Sequence, residues 1–239
     1  MTFRIDLNCD MGESFGAYRM GNDEAILDFV NSANVACGFH AGDAATSHEA
    51  LARAAEHGVR IGAHPGFADR DSFGRRELDV TEDDVFTLCL YQMGALAGLA
   101  RSLGQPIVYL KPHGALYNMA CRDERLARPI VGAAALFAVP ILVLPGSKLE
   151  EVARRERVPF VAEGFADRRY LPDGALVPRD RPDAFVHDAD EAVAQAERLI
   201  EERGVRSLCV HGDNPQALVF VKELREALEN RCFRLRAFA

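Results

Sequence analysis

None of the six cysteines, Cys9, Cys37, Cys89, Cys121, Cys209 and Cys232, pairs with another in a C-x-x-C motif. That removes the local signature of a zinc knuckle or a thioredoxin-type site. Long apolar runs are also missing, and no stretch approaches the roughly 20 residues that cross a bilayer. The N-terminal MTFRIDLNCD has no apolar core of the kind a signal peptide needs and runs directly into a strand pattern,. The expectation is a chain with reduced thiols, no signal peptide and no membrane segment, located in the cytoplasm. Positive charge is short as well: 28 Lys and Arg stand against 36 Asp and Glu, a formal net charge of −8. A nucleic-acid binder needs a basic face, so that class is excluded, although a small cationic pocket for an anionic substrate is not. The usual nucleotide cradles are absent. Pro145-Gly146-Ser147-Lys148 lacks the upstream glycine of a phosphate loop, no G-x-G-x-x-G follows the first strand, and there is no G-x-S-x-G elbow. No Gly/Ser linker, low-complexity tract or internal repeat divides the chain, so residues 1–239 read as one domain,.

What is present is an alternation. Hydrophobic residues make up 49% and charged residues 27% of the chain, a mixture that builds a sizeable core,. Short apolar runs at Phe3–Cys9, Ala33–Cys37, Arg60–Ala63, Ile107–Lys111, Pro140–Leu144, Phe160–Glu163 and Ser207–Val210 read as strands, with a weaker one at Cys232–Ala237,. Helical spacing runs between them, as in Val85, Leu88, Cys89, Leu96, Leu99 and Leu103,. Strands separated by helices must pair in parallel, and seven or eight such units suit a closed β/α barrel better than an open sheet. The irregular stretch Ala166–Asp188, with Pro172, Pro178 and Pro182, is too long for an ordinary connection and reads as a functional loop or lid,.

Polar residues recur where the strands end. The first strand supplies Asp6, Asn8 and Asp10, followed by Glu13. Later ends bring His40, His64, Lys111 with His113, Glu163 with Asp167 and Arg168, and His211 with Asp213. Only the fifth, PILVLP, ends without a charged group. In a parallel barrel these ends converge on one mouth, where the active site lies. Each group has a plainer reading. Asp6, Asn8 and Asp10 suit turns and caps, a histidine beside glycine is commonly a hydrogen-bonded turn residue, and Asp167-Arg168 resembles an exposed ion pair. Glu49, Glu56 and His57 read as a solvated helix face, and Cys9, Cys37 and Cys209 as small core residues. The functional reading prevails because the pattern repeats from unit to unit.

The strings DLNCDMGESFG at 6–16, SANVACGFHAGD at 32–43, GAHPGFADRDSFGRR at 62–76, LKPHGALYN at 110–118, EGFADRRY at 163–170, LVPR at 176–179 and VHGDN at 210–214 resemble the LamB/YcsF family, in one order along essentially the whole chain. The resemblance implies a parallel (β/α) barrel of the seven-stranded, deacetylase-like kind. It also implies the work of the A subunit of an ATP-dependent 5-oxoprolinase, which converts 5-oxoproline and water to L-glutamate with partner subunits B and C, using ATP with Mg2+. Phosphorylation of the lactam oxygen would give an imidate-like carbon open to water. On that reading the catalytic candidates are Glu13, His40, His64, Lys111, His113 and His211. Lys111 would offer fixed positive charge to a substrate or phosphoryl group, with His113 beside it. Substrate contacts fall to Asp6, Asn8, Glu163, Asp167, Arg168, Arg179 and Asp213. Related deacetylase-like barrels hold a divalent metal, for which Asp6, His40 and His64 are the candidate ligands here. Two alternatives remain: a stand-alone metal-dependent amidase or deacetylase, marked by turnover without ATP, and a non-catalytic protein that binds substrate for its partners. A homo-oligomer is compatible with each.

Overall fold

The computed structural model describes residues 4–16, 18, 23–211 and 217–238. Among the described residues there are eight strands: β1 (Arg4–Met11), β2 (Ser32–Ala36), β3 (Arg60–His64), β4 (Tyr109–Leu110), β5 (Ile141–Val143), β6 (Phe160–Phe165), β7 (Ser207–Val210) and β8 (Arg234–Leu235). β1 pairs with β2 on one side and with β7 on the other, so the first seven close into a barrel, parallel throughout. β8 adds to the start of β1, at Arg4 and Ile5. The closed seven-stranded barrel is the expected fold. The fourth strand is shorter than its apolar run, because Pro112 has no N–H to extend the ladder. Its pairing with β3 still continues through Lys111 N to Ala63 O and His113 N to Pro65 O, at 2.9 and 2.8 Å.

Helices α1 (Asp23–Leu27), α2 (Ala44–Glu56), α3 (Glu82–Ser102), α4 (Gly114–Arg122), α5 (Glu124–Leu136), α6 (Lys148–Arg155), α7 (Ala189–Arg203) and α8 (Ala217–Asn230) surround the barrel. Their starts are written locally. Thr81 and Asp84 form a reciprocal capping box on α3, and Asp43, Ser147 and Asp188 cap α2, α6 and α7 through their side chains,. Gly204, left-handed at φ 66°, ends α7,. In α3 the buried stripe is Val85, Cys89, Met93, Leu96 and Ala100, the spacing of a helix with one face on the sheet,. No described helix is long and apolar enough to cross a membrane.

The hydrophobic core lies between the barrel and its helices, where Ile5, Leu7, Val35, Ile61, Leu110, Val143 and Leu208 are buried. Inside the barrel the filling is polar: Asp6, Asn8, Ser32, Asn34, Lys111, Glu163 and Ser207 are each at most 2% exposed. Tyr109 crosses this interior, and a Cβ at Gly62 would lie 2.1 Å from its ring, so only glycine admits it there,. The stretch 166–188 is not loose coil. It folds back on itself through bridges Arg168–Phe185 and Tyr170–Leu176, and Gln195 of α7 donates to the carbonyls of Phe165 and Arg168 at 2.9 and 2.8 Å.

Candidate active site at the barrel mouth

The site is built upward from the barrel floor. Asp6 accepts hydrogen bonds from Ser32 Oγ at 2.7 Å and from Ser207 Oγ. Burial pushes its carboxyl up to about 7, beyond what the two serines recover,. One layer higher, Asn8 Nδ2 donates to Ser207 Oγ at 2.8 Å and to Glu163 Oε1 at 3.2 Å. Asn34 Nδ2 reaches Asn8 Oδ1 at 2.7 Å and Asp10 Oδ1 at 2.8 Å, while Asn34 Oδ1 accepts from the Tyr109 hydroxyl at 2.7 Å. Lys111 closes the layer. Its ammonium lies 2.9 Å from Asp10, 3.1 Å from Glu163, 3.2 Å from Asn8 Oδ1 and 3.0 Å from Cys209 Sγ. Burial alone would lower this ammonium's pKa, but Asp10, with Cys209 and Glu163 behind it, holds it well above the ordinary value.

A histidine cluster stands above this layer. Its members come from the loops after β2 and β4 and from the end of β3. The His40 and His113 rings stack at 3.7 Å and His64 meets His113 edge-on at 4.8 Å. Glu13, from the tail of β1, places Oε1 3.4 Å from His40 Nε2 and 3.6 Å from His113 Nδ1. Gly66 and Gly74 permit this packing, since a Cβ on either would lie within 2.7 Å of a His40 atom. His64 Nδ1 is 2.8 Å from Lys111 O, and His113 Nε2 is 2.8 Å from Phe73 O. A carbonyl accepts only from a protonated nitrogen, so these contacts assign the tautomers and leave lone pairs on His64 Nε2 and His113 Nδ1. Those two nitrogens face each other at 2.9 Å, which is favourable only with a proton or cation shared between them. Both nitrogens of His40 are buried without a hydrogen-bond partner among the described residues. Burial lowers the pKa of His40 and His113 well below the ordinary value. Glu13, His40, His64 and His113 together present four ligand atoms within 4.8 Å of one another.

Across the mouth, His211 Nδ1 lies 2.7 Å from Asp167 Oδ2, which also accepts from the His211 backbone N–H at 3.1 Å. Burial would raise Asp167, but His211 outweighs it and holds the carboxyl below its usual range. The contact therefore keeps Nδ1–H on the carboxylate and leaves the lone pair on Nε2,. Phe165 stacks on the His211 ring at 5.9 Å. Arg179, carried by the folded-back loop, lies 5.4 Å over the Phe185 ring, and its charge reaches Asp167.

Several expected roles change. Asp6 does not join His40 and His64 as a metal ligand, because its carboxylate is held by Ser32 and Ser207 at the barrel floor. Glu13 and His113 complete that cluster instead. Lys111 is not left to offer charge to a phosphoryl group, since Asp10, Glu163, Asn8 and Cys209 occupy its ammonium. Asn8 serves the same network rather than a substrate. Arg168 donates to Val177 O at 2.6 Å and Ala184 O at 3.4 Å, so its guanidinium fastens the loop. Burial, with Arg179 nearby, lowers its pKa to about 10. Asp213 lies outside the described residues. The solvated reading of Glu49, Glu56 and His57 agrees with their exposure. Sequence reasoning passed over Asp10 as a site residue, although it shares the parity of Asp6 and Asn8. It lies 3.4 Å from His64 Nε2, and His64 and Lys111 overcome burial to hold it well below the usual carboxylate range. Tyr109 and Tyr117 carried no local signal.

The LamB/YcsF family model matches residues 5–239. A protein of Bordetella parapertussis, named as the A subunit of 5-oxoprolinase, is 47% identical, covering 98% of each chain. The crystal structure of a lactam utilization protein from Thermus thermophilus superposes with a TM-score of 0.92 at 42% identity, over 99% of this chain and 100% of that one. The catalytic domain of a peptidoglycan N-acetylglucosamine deacetylase from Eubacterium rectale shares the fold, with a TM-score of 0.56 at 8% identity over 100% of this chain and 90% of that one.

Proposed function

The chain belongs to the LamB/YcsF family, and from that membership we propose that it works as the A subunit of a 5-oxoprolinase, opening the lactam ring of 5-oxoproline with water to give L-glutamate. The observation that carries the reading is the meeting, in one barrel mouth, of a proton-handling His211–Asp167 dyad with the cluster of His40, His64, His113 and Glu13. Ring opening needs water to add to the lactam carbonyl carbon, the C–N bond to break and the nitrogen to receive a proton. His211 Nε2 is the group to take the proton from water and return it to nitrogen, with Asp167 stabilising the imidazolium between the two steps. Arg179, whose charge reaches Asp167, is the cation for the substrate's carboxylate in this reading,.

A five-membered lactam is a stabilised amide, and coupling to ATP with Mg2+ through partner subunits B and C supplies the driving force in this proposal. The histidine cluster suits a divalent cation of the zinc class. Its donors are three nitrogens and one carboxylate, two of its tautomers are set by backbone carbonyls, and the His40 nitrogens have no hydrogen-bond partner among the described residues,. Such an ion polarises a carbonyl or lowers the pKa of a bound water. The Asp10, Cys209 and His211 grouping suits it less, because the Lys111 ammonium already lies against Asp10 and Cys209.

The test is glutamate release from 5-oxoproline, with and without ATP and with and without B and C. Release only from the complete mixture is expected. Release by the isolated chain without ATP would replace this reading with that of a stand-alone amidase.

A further inference from the structure

Gln92 is fully buried, yet it stands in the apolar stripe of α3, three residues after Cys89 and four before Leu96. A leucine there would cover the sheet with no amide to satisfy. The amide is spent on one residue of the mouth. Gln92 Oε1 accepts the Gly66 N–H at 3.0 Å, and Gln92 Nε2 donates to Gly66 O at 2.9 Å and to Leu88 O, one turn back in its own helix, at 3.2 Å. Gly66 lies just past the end of β3, where its backbone groups need partners from outside the strand ladder. A side-chain amide that takes both groups of one residue fixes that residue in place and in orientation.

The segment it fixes touches all three histidines of the cluster. It begins with His64, and Pro65 O accepts the His113 N–H at 2.8 Å. Gly66 does not have a positive φ, so space and not backbone conformation calls for glycine there. A Cβ on Gly66 would lie 2.6 Å from His40 Nδ1 and 3.2 Å from His113 Cβ. His40 and His113, whose rings stack at 3.7 Å, therefore both pack against this one backbone position. Backbone carbonyls hold the rings of His64 and His113, whereas the His40 ring has no hydrogen-bond partner among the described residues, so its place rests on packing. We propose that Gln92 is a positioning residue for the histidine cluster. By clamping both backbone groups of Gly66 it sets the depth of the surface on which His40 lies, and with it the spacing of the nitrogens that would hold a divalent cation. The proposal deepens the cation reading of this cluster and rests on it. Removing a group that holds a metal ligand from behind weakens metal binding by about 10–100-fold. Gln92 acts through one further link, so the lower end of that range is expected.

Zinc titration of the metal-free chain, in competition with a chromophoric chelator, tests it on three variants. Gln92→Met, similar in length but without the amide, should bind zinc about tenfold more weakly than the unmodified chain. Gln195→Met removes the comparable amide across the mouth, which bonds Phe165 O and Arg168 O, and should leave zinc affinity unchanged. Gly66→Ala keeps both bonds to Gln92 but presses a methyl on His40, and should weaken zinc as well. A folded Gln92→Met that binds zinc as tightly as the unmodified chain overturns the proposal and leaves Gln92 a purely structural partner of Gly66. Equal losses in Gln92→Met and Gln195→Met also overturn it, because general loosening would then account for both. If Gln92→Met does not fold, Gly66→Ala decides, and unchanged zinc affinity in that variant overturns the proposal. Failure of the unmodified chain to bind zinc overturns the cation reading itself, and the proposal with it.

Discussion

Single residues in this barrel are defined by the charges they share. Asp6 has a native carboxyl near 7 against 3.8 for an ordinary aspartate, so between those values the folded chain holds a proton that the unfolded chain has lost. Stability from this group is complete below about pH 4 and is lost as pH rises through about 7. At about 1.4 kcal/mol per pH unit, the gap is worth on the order of 4 kcal/mol. Asp6→Asn should therefore lie closer in stability to the unmodified protein at pH 5 than an ionised group would allow, and overtake it toward pH 8. Urea unfolding of both proteins across that range reads the difference, and a constant gap would refute a raised Asp6. Lys111 is the counter-charge for Asp10 and Glu163. Lys111→Met should cost about 3–5 kcal/mol, because it leaves buried carboxylates unpaired, and adding Glu163→Gln should recover part of the loss. An unchanged denaturation midpoint for Lys111→Met would contradict this arrangement.

At the scale of elements, the loop between β6 and α7 is fastened by single side chains. Arg168 ties its two arms through Val177 O and Ala184 O, and Gln195 ties its base to α7. Arg168→Ala should leave the barrel folded but speed amide hydrogen exchange at Arg169, Val177, Ala184 and Val186, whose N–H groups bond within the loop,. It should also weaken substrate binding by releasing Arg179. Exchange as slow as in the unmodified protein would show that the backbone bridges hold the loop without the guanidinium. The sequence made this stretch visible by its length and its three prolines, and the helix starts by their capping residues. It gave no sign that Arg168 faces inward, because an Asp-Arg pair in a loop looks the same whether it meets water or carbonyls.

For the whole molecule, the four groups of the histidine cluster enter from the tail or end of β1, β2, β3 and β4, so one cation would cross-link four successive units of the barrel. Zinc added to metal-free protein should raise Tm, by about 2.7 kcal/mol of stabilisation at a hundredfold excess over Kd. A chelator should reverse the rise and His40→Ala should abolish it. A Tm indifferent to zinc would remove the cation from the site while leaving the His211–Asp167 dyad untouched.

The alternation of apolar runs and helical stripes was enough to favour a closed parallel barrel of seven or eight units, because each stripe needs a sheet face to cover and each crossover forces parallel pairing, and the family resemblance set the number at seven. The recurrence of Asp, His and Lys at strand ends was enough to place a candidate site at one mouth. Parity within β1 put Asp6 and Asn8 on one row, and Asp10 continues it. What only the tertiary structure decided is depth and partnership. The strands are tilted and staggered, so the layer in which a side chain falls depends on register between strands. That register sent Asp6 to the floor, Asp10 to His64, and Lys111 into a four-sided cage. It brought Glu13 and His113 to His40, and Tyr117 from a helix to Glu163. Contacts of this kind join residues far apart in the chain, and no local pattern records which partner a buried charge will meet.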